Sequence, residues 1–159
     1  MGQRVGLGYD VHPFGHGRPL ILGGVRVESH RGLTGHSDAD AVCHAIADAI
    51  LGALALGDLG KHFPDTEARW HGASSVGILE QVVAMAAEKG AAIGNADVTV
   101  VTEEPRLAPY VDAMRERLAE ALRVGMDRVS VKATRPEGLG ALGQGHGLAA
   151  LAVVLVETP

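Results

Sequence analysis

Aromatic side chains are almost missing from this chain: two Phe, two Tyr and one Trp stand among 159 residues, 3% in all. Whatever core it builds must be aliphatic, filled by Ala, Val, Leu and Ile. Cysteine is rarer still. A lone Cys43 excludes an internal disulfide and gives no sign of an oxidising compartment. No apolar run approaches the roughly 20 residues of a membrane span. The opening Met1-Gly2-Gln3-Arg4-Val5 passes directly into strand pattern without a signal-peptide layout, so the expected compartment is the cytoplasm. Positive charge is in deficit, with a formal net charge of −5. That argues against nucleic acid or a membrane surface as the main partner, since both usually want a basic face. A local basic pocket for a phosphorylated small molecule is not excluded.

What is present is ordinary for a globular protein, 47% hydrophobic and 21% charged. The length fits one domain over residues 1–159, with a core that needs no staples. The pattern predicts a strand over 4–12, a Gly/Pro-rich loop over 13–19, and a hairpin in which Gly23-Gly24 joins 20–22 to 25–27. Residues 29–35 read as loop. Ser37 or Asp38 is placed to cap a helix from Ala39 to about Leu56, with Val42, Ile46, Ala49 and Ala53 inward. A second helix is expected over about 73–88 and a third after Pro105 and Pro109, with Tyr110, Met114, Leu118 and Leu122 as its apolar stripe. Strands are expected over 95–101 and 129–134. Residues 136–147 form a glycine-dense loop, and the apolar run Leu148 to Val156 fits a strand buried on both faces. Strands alternating with helices give an α+β arrangement, an α/β sandwich with a mixed sheet of four-stranded type and helices packed on one face.

Chemistry concentrates near the start. Asp10 and His12 are two apart in a strand, so their side chains leave the same face. His44, inside the first helix, is the best candidate for a third metal ligand. Two His and one carboxylate with an open fourth position is a catalytic zinc arrangement, although iron, manganese or cobalt suits the same donors. Asp48 lies one turn after His44 and is expected to take the other ring N–H. His36 and Ser37 precede the helix. They are either a loop residue and a cap, or donors to a phosphate held at the helix N-terminus. Lys132-Ala133-Thr134-Arg135-Pro136-Glu137 carries two cations, a hydroxyl and a carboxylate. That stretch suits a diphosphate with a second hard cation, or a charged strand end in water. Cys43, in an Ala-rich helix, reads as a small core residue.

Several motifs occur together: Asp10-Val11-His12, His36-Ser37-Asp38-x-Asp40 with His44, Gly57-Asp58-Leu59-Gly60-Lys61, Phe63-Pro64-Asp65-Thr66, Gly94-Asn95-x-Asp97 and Lys132-Ala133-Thr134. In order and spacing they resemble the 2-C-methyl-D-erythritol 2,4-cyclodiphosphate synthases over essentially the whole chain. The resemblance implies a homotrimer around a threefold axis with active sites at subunit interfaces. It implies closure of a cyclic diphosphate on 4-diphosphocytidyl-2-C-methyl-D-erythritol 2-phosphate with release of CMP, in non-mevalonate isoprenoid biosynthesis. Zinc would sit on Asp10, His12 and His44, and magnesium or manganese on Glu137. His36, Thr134, Arg135 and Glu137 would serve the reacting phosphates. Asp10, Val11, His12, His36, Ser37, Asp58, Leu59, Gly60, Phe63, Pro64, Asp65, Thr66 and Glu67 would hold the methylerythritol phosphate side. Thr102, Glu103, Glu104, Pro105, Arg106, Leu107 and Ala108, with Lys132, Ala133, Thr134, Arg135, Pro136 and Glu137, would hold the cytidine diphosphate.

Three positions depart from the family pattern: Arg106 replaces a frequent Lys, Arg135 a usual second Thr, and Gln144 an Arg of the threefold axis where an isoprenoid diphosphate can bind. A zinc phosphoesterase and a non-catalytic nucleotide sensor are the rival expectations. Release of CMP rather than inorganic phosphate separates them.

Overall fold

The computed structural model describes all residues from 1 to 159. The chain begins with β1 (Gly2–Gly15), the hairpin β2 (Leu20–Leu22) and β3 (Val25–Val27), and β4 (Gly32–Leu33). Helices α1 (Ala41–Ala53), α2 (Leu59–His62) and α3 (Ser75–Glu88) follow, then β5 (Ala92–Val101), α4 (Val111–Leu122), β6 (Val129–Thr134), α5 (Gly140–Gly143) and β7 (Gly147–Thr158). A mixed sheet runs in the order β4-β1-β7-β5-β6. β7 is antiparallel to both β1 and β5, and β6 pairs parallel with β5. It therefore has five strands rather than four, because Gly32 and Leu33 pair with Gly15 and Phe14 inside the segment expected to be loop.

The aliphatic composition sets the packing. α1 lies on β1 and β7 and against α3, while α4 packs on α3 and β6. The seam between α1 and β1 is closed by glycines. A Cβ on Gly6 would stand 1.7 Å from the Ala49 carbonyl oxygen, and one on Gly8 1.8 Å from that of Ala45. Backbone thus lies on backbone where most sheets interpose side chains. Val42, Ile46, Ala49 and Ala53 are all buried, as their spacing requires, and Val76, Leu79, Val83 and Ala86 of α3 join them.

The helix ends are shifted from their expected places. α1 starts at Ala41 with Asp40 as its cap, because Ala39 adopts left-handed backbone (φ 58°) and breaks any earlier turn. Asp40 is fully buried. Its Oδ1 accepts the Gly23 and Cys43 N–H groups and its Oδ2 the Gly24 N–H, so one carboxylate caps α1 and staples the β2–β3 turn to it. Burial pushes this acid up, opposed by the three N–H bonds. α1 ends at Ala53, short of the expected Leu56, and Asp58 caps a separate short helix, α2, while Ser74 caps α3. β7 is not buried on both faces. Leu151 and Val153 remain 38% and 45% exposed and line up with Val5, Leu7, Tyr9 and Val11 of β1 as a bare apolar face. A continuous apolar run cannot distinguish two covered faces from one covered and one open.

Candidate active site

The glycine seam decides where the first functional residues meet. Even-numbered residues of β1 face α1, so beyond Gly6 and Gly8 the next two are Asp10 and His12. α1 starts opposite them and delivers His44. Asp10 Oδ2 lies 2.7 Å from His12 Nε2 and 3.2 Å from His44 Nδ1, and the two ring nitrogens are 3.4 Å apart. Donors about 2.0–2.1 Å from zinc at tetrahedral angles stand about 3.3 Å from each other, so this triangle fits such an ion. Asp10, His12 and His44 could hold a metal ion, as their spacing predicts. Burial pushes the Asp10 carboxyl up, but bonds and positive charge from His12 and His44 outweigh it and hold the acid below its ordinary value. Burial likewise pulls His12 down and Asp10 more than reverses it.

The outer nitrogens of both rings are committed elsewhere. His12 Nδ1–H donates to the Thr34 carbonyl at 2.9 Å. His44 Nε2 meets Ser75 Oγ at 2.8 Å and Ser37 Oγ at 3.1 Å, and Ser75 in turn donates to Asp38. Asp48 does not take the His44 N–H. Its carboxylate faces the end of its own helix and accepts the Leu59 N–H at 2.8 Å, which ties α2 to α1. Burial, with Asp58 and Asp10 nearby, leaves Asp48 above its ordinary value despite that bond. The α1 N-terminus is likewise closed by Asp40, and Ser37, buried, accepts the Ala39 N–H.

Two clefts contain expected site residues. One of about 380 Å³ contains Asp10, His12, His36, Ser37, His44, Leu59, Phe63 and Asp65, with Gly35, Asp48, Trp70 and Ile78 completing its wall. Arg18 shapes it by donating to the carbonyls of Gly35 (2.6 Å) and Ser37, on either side of His36. The His36 ring touches the Glu67 carbonyl through Nε2 at 3.3 Å and stands edge-on to His71. Phe63 and Trp70 pack edge to face, 5.0 Å between centroids.

The other cleft, about 900 Å³, is lined by Thr102 to Ala108 together with Ala133, Thr134, Arg135 and Glu137. Phe14 and residues 28–31 form its opposite wall, a contribution that sequence reading missed. Arg31 stacks over Phe14 at 4.4 Å and donates to the Gly145 carbonyl. Glu103 organises the near wall, meeting Arg135 Nε at 3.4 Å and accepting the Gly138 N–H at 2.7 Å. Glu137 is exposed, in left-handed backbone.

Other expected residues lie outside both linings. Val11 is on the open sheet face, and Lys132 is paired there with Asp97 at 2.7 Å. Asp58 caps α2, Glu67 pairs with Arg69 at 2.5 Å, and Gly60, Pro64, Thr66 and Pro136 line neither cleft. Cys43 is fully buried and its thiol pushed well up by burial, in keeping with a core role.

The family model for the YgbB family matches residues 3–157. The chain belongs to the YgbB family. Among its relatives, the 2-C-methyl-D-erythritol 2,4-cyclodiphosphate synthase of Geobacter metallireducens is 58% identical over 98% of this chain and 99% of its own length. That of Idiomarina loihiensis is 53% identical over 99% of each. Solved structures of the YgbB type agree in fold. The bifunctional IspDF from Campylobacter jejuni matches at TM-score 0.96 and 39% identity over 99% of this chain, which spans 43% of that longer protein. A CDP complex of IspF from Plasmodium falciparum matches at TM-score 0.86 and 29% identity, covering 99% of this chain and 97% of that one.

Proposed function

We propose that this chain is a single cyclodiphosphate synthase domain over residues 1–159 and a phosphorus–oxygen lyase. It converts 4-diphosphocytidyl-2-C-methyl-D-erythritol 2-phosphate to 2-C-methyl-D-erythritol 2,4-cyclodiphosphate and CMP, as a homotrimer in isoprenoid precursor synthesis. The observation that carries the reading is the convergence of Asp10, His12 and His44 at ligand spacing in a chain so similar to named synthases end to end. No helix is long and apolar enough to cross a membrane.

An oxygen of the 2-phosphate attacks the β-phosphorus, and the bond from that phosphorus to the oxygen bridging the α-phosphorus breaks. CMP leaves with the bridging oxygen. The nucleophile is already anionic, so no base is required, and catalysis is positioning and charge neutralisation. Bound cations, zinc at Asp10, His12 and His44 and magnesium or manganese at Glu137, supply Lewis-acid neutralisation of the phosphate oxygens. Glu137 is an exposed carboxylate on the lining of the larger cleft, beside Glu103, which accepts the Gly138 N–H, and a hard cation would suit such oxygen donors. His36, held by the Glu67 carbonyl and His71, lines the metal-side cleft, where it would serve the phosphate. Thr134 and Arg135, at the end of β6, do the same from the nucleotide side. The wall from Thr102 to Ala108 takes the cytidine, with Thr102 Oγ1 held by the Glu104 carbonyl at 2.5 Å.

The two half-sites are distinct clefts on one chain, which supports their completion by a neighbour. The bare face of Val5, Leu7, Tyr9, Val11, Leu151 and Val153 supports the same assembly. Incubation with the cytidyl diphosphate substrate tests the activity: CMP and the cyclic product are expected, and inorganic phosphate without CMP marks a phosphoesterase. His44→Ala is expected to remove most bound zinc and nearly all turnover while leaving the fold in place. Retention of stoichiometric zinc and normal rate by that variant would sink the ligand assignment.

A further inference from the structure

We infer that Ser75 and Asp38 form a relay that holds the His44 ring through its Nε2 and so presents its Nδ1 to a metal; this rests on the reading of Asp10, His12 and His44 as the metal site. The directions of the hydrogen bonds follow from chemistry alone. An ionised Asp38 can only accept, so the Ser75 hydroxyl proton must point at it. Asp38 Oδ2 also takes the Ser75 backbone N–H at 3.1 Å, which locks residue 75 in place at the start of α3. With its one proton spent, Ser75 Oγ faces His44 Nε2 at 2.8 Å as a pure acceptor. A His44 that binds a metal through Nδ1 carries its ring proton on Nε2, where Ser75 Oγ accepts it. Asp10 Oδ2, 3.2 Å from Nδ1, is the rival acceptor on the metal's side, so the relay is what favours the ring with Nδ1 open.

Ser37 Oγ accepts the Ala39 N–H and stands 3.1 Å from His44 Nε2 and 3.2 Å from Ser75 Oγ, so it borders the same nitrogen. Ser75 is fully buried, so no water substitutes for it. A ring N–H passed to a carboxylate raises the basicity of a ligand histidine, and losing such a partner typically costs about 10–100-fold in metal affinity. Here the carboxylate acts through a serine, and from a different element than the Asp48 that lies on the helix face of His44. Ser75 and Asp38 are positioning residues.

The test uses the full chain and zinc alone. Zinc affinity is measured by chelator competition for wild type, Ser75→Ala and Asp38→Asn, with urea unfolding of the metal-free proteins alongside. Asp38→Asn is isosteric and keeps an acceptor for the Ser75 N–H. In Ser75→Ala the Ser37 hydroxyl is left to donate to Nε2, which favours the tautomer that blocks Nδ1. Both variants are expected to bind zinc about 10–100-fold more weakly while unfolding at nearly wild-type urea. Nitrogen-15 NMR of the zinc-loaded wild type is expected to show a His44 Nε2–H that exchanges slowly with solvent. Wild-type zinc affinity in folded variants overturns the relay, and so does a His44 Nε2–H that exchanges as fast as an exposed imidazole's, which decides the matter even if a variant fails to fold. A wild-type chain that binds no zinc overturns the metal-site reading instead.

Discussion

Asp40 is wholly buried, and three backbone N–H groups depend on it. Asp40→Ala strands all three in a dry site, at about 3 kcal/mol or more. Urea unfolding of the metal-free protein checks that loss. Asp97 shows the opposite balance. The Lys132 ammonium bonded to it holds its carboxyl below the ordinary value, against weak burial. A folded-state value depressed in this way contributes stability above the unfolded value near 3.9 and loses it as pH falls through the folded one. The wild type is therefore expected to exceed Asp97→Asn in stability at neutral pH, with the gap closing below about 3.9. Paired urea midpoints across that range decide it. Arg135 reaches from the rim of the larger cleft and is held by Glu103. A charge-assisted bond to phosphate contributes about 1.5–3 kcal/mol against roughly 1 for a neutral one. Arg135→Thr should then lower kcat/KM about tenfold, with Arg135→Lys recovering part; an unchanged kcat/KM assigns that duty to Thr134 alone.

The joint between β1 and α1 carries the metal ligands on its two sides. Gly8→Ala would drive a methyl into the Ala45 carbonyl, the residue after His44, and no flexible side chain is there to yield. Overpacking of this kind costs about 1–3 kcal/mol or more. The helix must move off the strand, so loss of zinc binding should exceed what the lost stability alone predicts, as zinc titration at low urea would reveal. This joint also shows what sequence could and could not disclose. Period-2 spacing put Asp10 and His12 on one face, because local geometry alone sets that direction, and the first helical pattern supplied His44 as the third candidate. The same local reasoning led to Asp48 as the partner of His44, and there it failed. The true partner, Ser75, is 31 residues away on another helix, and no local period relates the two. Asp38 stood in a recognisable motif, yet its role depends on how α3 docks. The helix start was misplaced for a related reason, since nothing in Ser37-Asp38-Ala39 announces the left-handed Ala39.

The bare sheet face is the largest unfinished feature of the single chain. Leu7 and Val153 are cross-strand partners at its centre, 69% and 45% exposed. Leu7→Asp is expected to yield monomers by light scattering that still bind one zinc each, since all three ligands belong to one chain. Turnover should vanish if, as proposed, a neighbour's nucleotide cleft completes each metal-side cleft. A monomer with full activity would place the whole site within one subunit. Mixing supplies the complementary measurement: Asp10→Ala and Glu137→Ala chains, each inactive, should partly restore activity when reassembled together. The near absence of aromatics has an optical corollary. Trp70 is the sole indole, set against Phe63 and beneath the Arg69 guanidinium at 4.6 Å, on the wall of the metal-side cleft. With excitation selective for indole, the emission of the proposed assembly therefore originates at Trp70 in the metal-side clefts, one fluorophore to each. Ligand entry should shift that emission without any attached dye, Trp70→Phe should be dark, and a stopped-flow trace would time the filling of the cleft separately from the release of CMP.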